Sequence, residues 1–130
     1  MSGINKWEKP FHIERGDVYV ARLPESQGSE QGGYCRPVVV TQCNRQNKTS
    51  TTVVVAAGTS QRKRLDLPYH VLVSKRKGLS KDTVFCGEQR FTLSVDRFIR
   101  YCCTLDKVIM EKITRACRRA EEANENHRKW

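Results

Sequence analysis

Apolar residues alternate with polar ones in short stretches along most of this chain. They fall at helical spacing over one long stretch only, near the C-terminus. The alternating stretches predict strands. Ile13 to Ala21 is one, with Val18 and Val20 alternating with Tyr19, Arg15-Gly16-Asp17 leading in and Pro24 ending it. Pro24 to Tyr34 has almost no apolar content and is expected as a long surface loop. Pro37 to Thr41 is a β-branched run, expected as a strand buried on both faces, with Pro37 at its start because it donates no N–H. Asn44 to Ser50 is expected as a polar turn and Thr51 to Ala57 as a strand ending at Gly58. Tyr69 to Val73 follows Pro68, and Lys75-Arg76-Lys77-Gly78 makes a basic turn. Thr83 to Cys86 and Glu88 to Leu93 are strand stretches interrupted by Gly87, a candidate bulge. Ser94 to Phe98 fits one helical turn with Asp96 near its start, and Ile99 to Cys103 is the last strand.

The helix is the clearest element. Leu105, Val108, Ile109, Ile113, Ala116, Cys117 and Ala120 are spaced by threes and fours, which predicts one apolar face. Thr104 is the expected N-cap. Asp106 suits the positive end of the helix dipole, and Arg115, Arg118 and Arg119 suit the negative end. Six or seven short strands followed by one amphipathic helix predict a mainly β (α+β) domain: a small twisted antiparallel sheet or open barrel packed on a terminal helix. Residues 1–13 read as an N-terminal arm, 14–120 as the domain and 121–130 as a polar tail.

Composition narrows the function classes. Lys and Arg total 24 against 14 Asp and Glu, a net charge of +10 in 130 residues, which favours a polyanionic partner. No apolar run is long enough to span a bilayer, and the first ten residues lack the apolar stretch of a secretion signal. A cytoplasmic protein without a membrane partner is therefore expected. The six cysteines form no C-x-x-C pair and the three histidines are scattered, so the thiols read as core fillers or strand residues, with no metal site and no cofactor expected. In a regular strand Cys102 and Cys103 point to opposite faces.

Three polar clusters sit at strand ends: Gly28-Ser29-Glu30-Gln31-Gly32-Gly33 with Arg36-Pro37 beyond, Thr59-Ser60-Gln61 after an apolar strand, and Glu88-Gln89-Arg90. Together with Arg15-Gly16-Asp17-Val18, Leu67-Pro68, Gly78-Leu79, Lys81-Asp82-Thr83-Val84 and Leu105-Asp106 through Ile113, they keep an order and spacing over roughly residues 14–118. In that ordered set the chain resembles the MazF/PemK toxins, sequence-specific endoribonucleases of bacterial toxin–antitoxin modules.

The resemblance implies an SH3-like barrel of the CcdB/PemK type with a C-terminal helix, assembled as a homodimer. It also implies metal-free cleavage of single-stranded RNA by a neighbouring 2′-OH, leaving a 2′,3′-cyclic phosphate and a 5′-OH. Such a reaction needs a base for the 2′-OH proton and fixed donors for the charge that develops on phosphorus. The family pattern assigns Arg36 and Thr59 as the catalytic pair. Glu30 is the loop carboxylate that serves as base, and Glu88 is the alternative base. Arg36 brings a planar fork of N–H donors suited to phosphate. Ser29, Gln31, Tyr34, Gln61, Arg62, Lys63, Arg64, Glu88, Gln89 and Arg90 are the expected RNA contacts. The family also implies an acidic, MazE-like antitoxin whose disordered segment folds along the basic groove.

Each residue has a blander reading. Thr59 can cap a turn, Tyr34 and Phe91 can pack in the core rather than stack on bases, and His70 reads as structural. Two positions depart from the family pattern. Many members have Arg where Phe91 stands, and Arg90 is one step earlier, which reverses its face unless the Gly87 bulge restores it. Gly58 replaces a bulkier residue and is expected to loosen the placement of Thr59. The competing readings are a non-catalytic protein poison, like the gyrase-binding toxins that share this barrel, and an RNA-binding module without catalysis.

Overall fold

A computed structural model describes residues 12–24, 34–61 and 64–122. Six strands form one antiparallel sheet: β1 (Asp17–Arg22), β2 (Cys35–Val40), β3 (Thr52–Thr59), β4 (His70–Val73), β5 (Thr83–Ser94) and β6 (Phe98–Thr104). Their order across the sheet is β4-β5-β3-β2-β1-β6. A short helix, α1 (Asn44–Asn47), links β2 to β3, and the long helix α2 (Lys107–Glu121) closes the domain. The expected mainly β fold with a C-terminal amphipathic helix is the fold observed.

Strand periodicity builds two cores, one on each face of the sheet. Tyr19, Ala21, Val38, Val40, Val53, Val55 and Ala57 enter one cluster, closed by Leu93, Val95 and Phe98. Their strand neighbours Val18, Val39 and Ala56 enter the other, under Met110, Ile113 and Cys117 of α2. Burial on both faces explains the unbroken β-branched runs. Asp17 is buried but satisfied. Its carboxylate accepts from the Glu14 N–H (2.9 Å), the Thr104 hydroxyl (2.8 Å) and the Tyr19 hydroxyl (3.3 Å). Burial, reinforced by Asp17, raises the Tyr19 hydroxyl above its ordinary range.

Several expectations need correction. The polar turn at Asn44 to Ser50 contains α1, whose Asn47 is buried and bonds the Gln42 carbonyl at 3.1 Å and the Gln42 side chain at 2.9 Å. Pro37 is the third residue of β2, not its first. The α2 cap is Asp106, which accepts the Ile109 N–H at 2.9 Å, because the Thr104 hydroxyl is spent on Asp17 and Tyr101. Val108 is exposed and Met110 buried. The residues four and seven after Val108 are Lys112 and Arg115, which place it on the solvent face.

Cys102 and Cys103 do not part to opposite faces. Val18 pairs with Cys103 and Tyr19 with Tyr101, so Cys102 is an extra residue in β6 and both thiols reach the helix-side core. Burial pushes the Cys102, Cys103 and Cys117 thiols above their usual range, so they stay protonated at neutral pH. Cys35 and Cys43 are exposed. A thiol-reactive dye is expected to label two of the six cysteines in the native protein and all six in denaturant. Rapid native labelling of a third would show that these clusters are not closed.

Candidate active site

The site begins where a backbone ladder stops. β2 and β3 pair from Val40↔Val55 to Val38↔Ala57, and the pairing ends at Pro37. One residue further, a side chain continues the contact: Arg36 Nε donates to the Gly58 carbonyl at 2.9 Å. This bond fixes the guanidinium beside Thr59, the last residue of β3. Both residues are half-buried and both line an open cleft of about 360 Å³, together with Cys35, Ser60, Gln61 and Gln89. Among the described residues, Nε is the part of Arg36 engaged by a hydrogen bond, which leaves its terminal donors for a ligand. The Tyr34 ring centroid lies 5.9 Å from Arg36 Cζ, within cation–π reach, and the ring packs against the core.

Thr59 does cap a turn: its Oγ1 accepts the Gln61 N–H at 3.1 Å. That bond uses a lone pair and orients the oxygen, while the hydroxyl proton stays available for donation. The two readings of Thr59 are thus compatible. Gly58 does not loosen the site. A Cβ there would fall 2.7 Å from Thr83 Cγ2 and 2.8 Å from Phe85 Cε1, so neighbouring side chains already fill the space a larger residue would take.

β5 bends into the cleft through a large bulge. Ala56 faces Arg90 but Gly58 faces Phe85, so residues 86–89 stand opposite Ala57 alone. Gln89 thereby reaches the cleft. The bulge does not bring Arg90 with it. Arg90 pairs with Glu121 of α2 and shares the helix side with Arg15, Thr114 and Arg118, while Phe91 packs into the opposite core. The Glu88 carboxylate is 3.0 Å from His70 Nε2 and does not line the cleft. Arg64 is held by Asp66 through bonds of 2.7 and 3.3 Å, and that guanidinium keeps the Asp66 carboxyl below its usual range. Ser29, Glu30, Gln31, Arg62 and Lys63 lie outside the described residues.

Of the expected site residues, then, the structure brings together Arg36, Thr59, Gln61 and Gln89, with Tyr34 behind them. It adds Ser60 and Cys35, which were not among the expected contacts; Ser60 stands inside the Thr-Ser-Gln triplet, whereas nothing in the sequence marks Cys35. A second groove of about 430 Å³ shares Ser60 and Gln61 with the cleft and runs past Lys75, Lys81, one carboxylate, Asp82, and the exposed Leu65 and Leu72. Cations beside apolar surface form a track suited to a flexible polyanion.

Comparison with known proteins places the chain. Residues 14–120 match the family described as PemK-like, MazF-like toxin of type II toxin-antitoxin system. The chain belongs to that family. It is 42% identical over 105 residues to endoribonuclease EndoA of Bacillus subtilis (strain 168), covering 80% of this chain and 90% of that protein. Its fold is similar to that of an endoribonuclease from a mycobacterial species (TM-score 0.66, 22% identity, 89% of this chain and 94% of that one). It is similar in the same way to MazF from Deinococcus radiodurans (TM-score 0.66, 19% identity, 82% and 93% covered). The fold is also similar to that of an endoribonuclease from a mycobacterial species in complex with its cognate antitoxin (TM-score 0.65, 22% identity, 83% and 93% covered).

Proposed function

We propose that the protein is an endoribonuclease toxin that cuts single-stranded RNA at the cleft between β2 and β3, without a metal in the reaction. The observation that carries this reading is the bond from Arg36 Nε to the Gly58 carbonyl, which fixes a permanent cation next to the Thr59 hydroxyl at the mouth of an open cleft. Membership of the toxin family and the relation to an endoribonuclease support it.

The reaction follows from these parts. A carboxylate takes the 2′-OH proton, and the 2′ oxygen attacks phosphorus. The bond to the 5′ oxygen breaks, that oxygen takes a proton from water, and a 2′,3′-cyclic phosphate remains. Arg36 and Thr59 donate to the non-bridging oxygens as charge builds on them. Glu30, on the segment leading into β2, is the base in this reading. Glu88 is committed to His70 and stands outside the cleft lining. Gln61 and Gln89 present amides able to read base edges of unstacked RNA. The strand runs on through the groove past Lys75 and Lys81, and the net charge of +10 favours its approach. The same groove accepts the acidic segment of an antitoxin, and the toxin acts in the cytoplasm as a homodimer.

The test is cleavage of a long single-stranded RNA in chelator, with the product ends analysed. Cyclic phosphate and 5′-hydroxyl ends are expected, and Thr59→Val should slow their appearance by about 10²-fold. Intact RNA with a salt-dependent gel shift would make the protein a binder instead. An acidic antitoxin segment added at stoichiometric amount should abolish cutting; undiminished cutting would rule out occlusion of the groove.

A further inference from the structure

We propose that His70, Cys86 and Glu88 form a binding site for a divalent transition metal ion of borderline softness, zinc above all, separate from the RNA cleft. The sheet itself builds the site. His70 of β4 is the direct cross-strand partner of Cys86 in β5, so their side chains share a face. Glu88 is two residues beyond Cys86, and the period of a strand returns it to that face. One imidazole nitrogen, the thiol sulfur and a carboxylate oxygen all lie within 4.8 Å of one another. The corresponding edges around tetrahedral zinc are about 3.3–3.8 Å, given its usual bond lengths. Small side-chain rotations close that gap.

The hydrogen bonding of His70 orients the ring as a metal ligand. Its Nδ1 is 2.8 Å from the Arg64 carbonyl and its Nε2 is 3.0 Å from the Glu88 carboxylate. Both neighbours are acceptors, and a neutral imidazole carries one N–H. The ring side chain is only 5% exposed, so water is largely excluded from it. With Nδ1–H given to the carbonyl, the Nε2 lone pair is turned to the side where the Cys86 thiol and the Glu88 carboxylate lie. A backbone carbonyl behind the second ring nitrogen is the usual support of a metal-binding histidine, because it fixes the tautomer and the ring plane. Sulfur, nitrogen and oxygen donors together select zinc-like ions over magnesium or calcium.

A nucleophilic Cys-His-Glu triad does not fit the same atoms. It needs the thiol and the carboxylate on different ring nitrogens, and here Nδ1 is taken by the Arg64 carbonyl. Cys86 is also fully buried, which suits a ligand better than a nucleophile. Three protein ligands leave a fourth position for water or another donor, and the Glu88 side chain is 38% exposed. A bound ion ties β4 to β5 and holds the His70 ring against the Arg64 carbonyl.

Cobalt(II) titration tests the proposal, with zinc as competitor. The full-length protein carries Cys35→Ser and Cys43→Ser, so that the exposed thiols do not bind metal on their own. One equivalent of cobalt should produce the near-ultraviolet charge-transfer band of a thiolate–cobalt bond, and zinc should abolish it. Cys86→Ser should remove the band, and Glu88→Gln should weaken zinc binding at least about tenfold. Absence of the band in the parent, or its persistence in Cys86→Ser, overturns the proposal. If Cys86→Ser fails to fold by circular dichroism, Glu88→Gln at the surface decides: unchanged zinc affinity overturns it.

Discussion

Arg36→Ala is expected to lower kcat/KM for RNA cleavage by about 10²–10³-fold, the loss seen when one fixed donor to a developing oxyanion is removed. The melting temperature should change little, because Arg36 is half-buried at a strand end and contributes to the fold mainly one bond, to the Gly58 carbonyl. Arg36→Lys is the sharper variant. Lysine keeps the charge, so encounter with RNA and its salt dependence should persist. A single ammonium cannot hold the Gly58 carbonyl and also present a planar pair of donors to a phosphate. Most of the loss in kcat should therefore remain, with KM near the parent value. Steady-state cleavage of a short fluorogenic RNA by both variants measures this split. Parent-like kcat in Arg36→Lys would mean that the guanidinium acts through charge alone. Parent-like kcat in Arg36→Ala would place the chemistry elsewhere on the molecule.

How much of this was legible without coordinates depends on the range of the forces involved. Strands such as Cys35–Val40 and Thr52–Thr59 announce themselves because strand period and burial are local properties. The amphipathic face of α2 does so too, but its start does not. Thr104 and Asp106 are both good caps by composition, and the choice falls to Asp106 because Asp17, 87 positions away, takes the Thr104 hydroxyl. The pairing of Arg36 with Thr59 came from an ordered set of motifs and not from periodicity; the sheet register then explains it, since β2 and β3 are neighbours whose ladder stops one residue short of Arg36. The His70–Glu88 contact was out of reach. It depends on the register of β4 against β5, and nothing in either strand specifies that register alone. Arg90 shows the converse. It was expected among the RNA contacts, but the bulge that had to restore its face ends before it, and strand alternation leaves it on the helix side.

Gly87→Ala is expected to destabilise the domain by about 2–3 kcal/mol, the cost of forcing atoms into a filled interior, and to lower the melting temperature by about 10 °C. The cause is the closeness of β5 to α2. A Cβ at Gly87 would stand 2.6 Å from the Ala116 carbonyl oxygen, 2.7 Å from its carbon and 2.9 Å from the Cys117 nitrogen. These are backbone atoms in the middle of a helix, so no rotamer change relieves them; helix and strand must separate. The Gly87 N–H also donates to the Tyr69 carbonyl at 2.7 Å, which ties the strand to the segment entering β4 and keeps it from yielding alone. Displacing β5 here displaces Gln89, two residues on at the cleft, so RNA affinity should fall at temperatures where the variant is still folded. The double variant Gly87→Ala, Ala116→Gly separates backbone from side-chain crowding. Removing the Ala116 methyl leaves the obstructing carbonyl in place, so stability should not recover and should drop further by about 1 kcal/mol for glycine within a helix. Recovery in the double variant, read by thermal denaturation, would show that the helix meets the strand through side chains and that its backbone does not lie against the bulge.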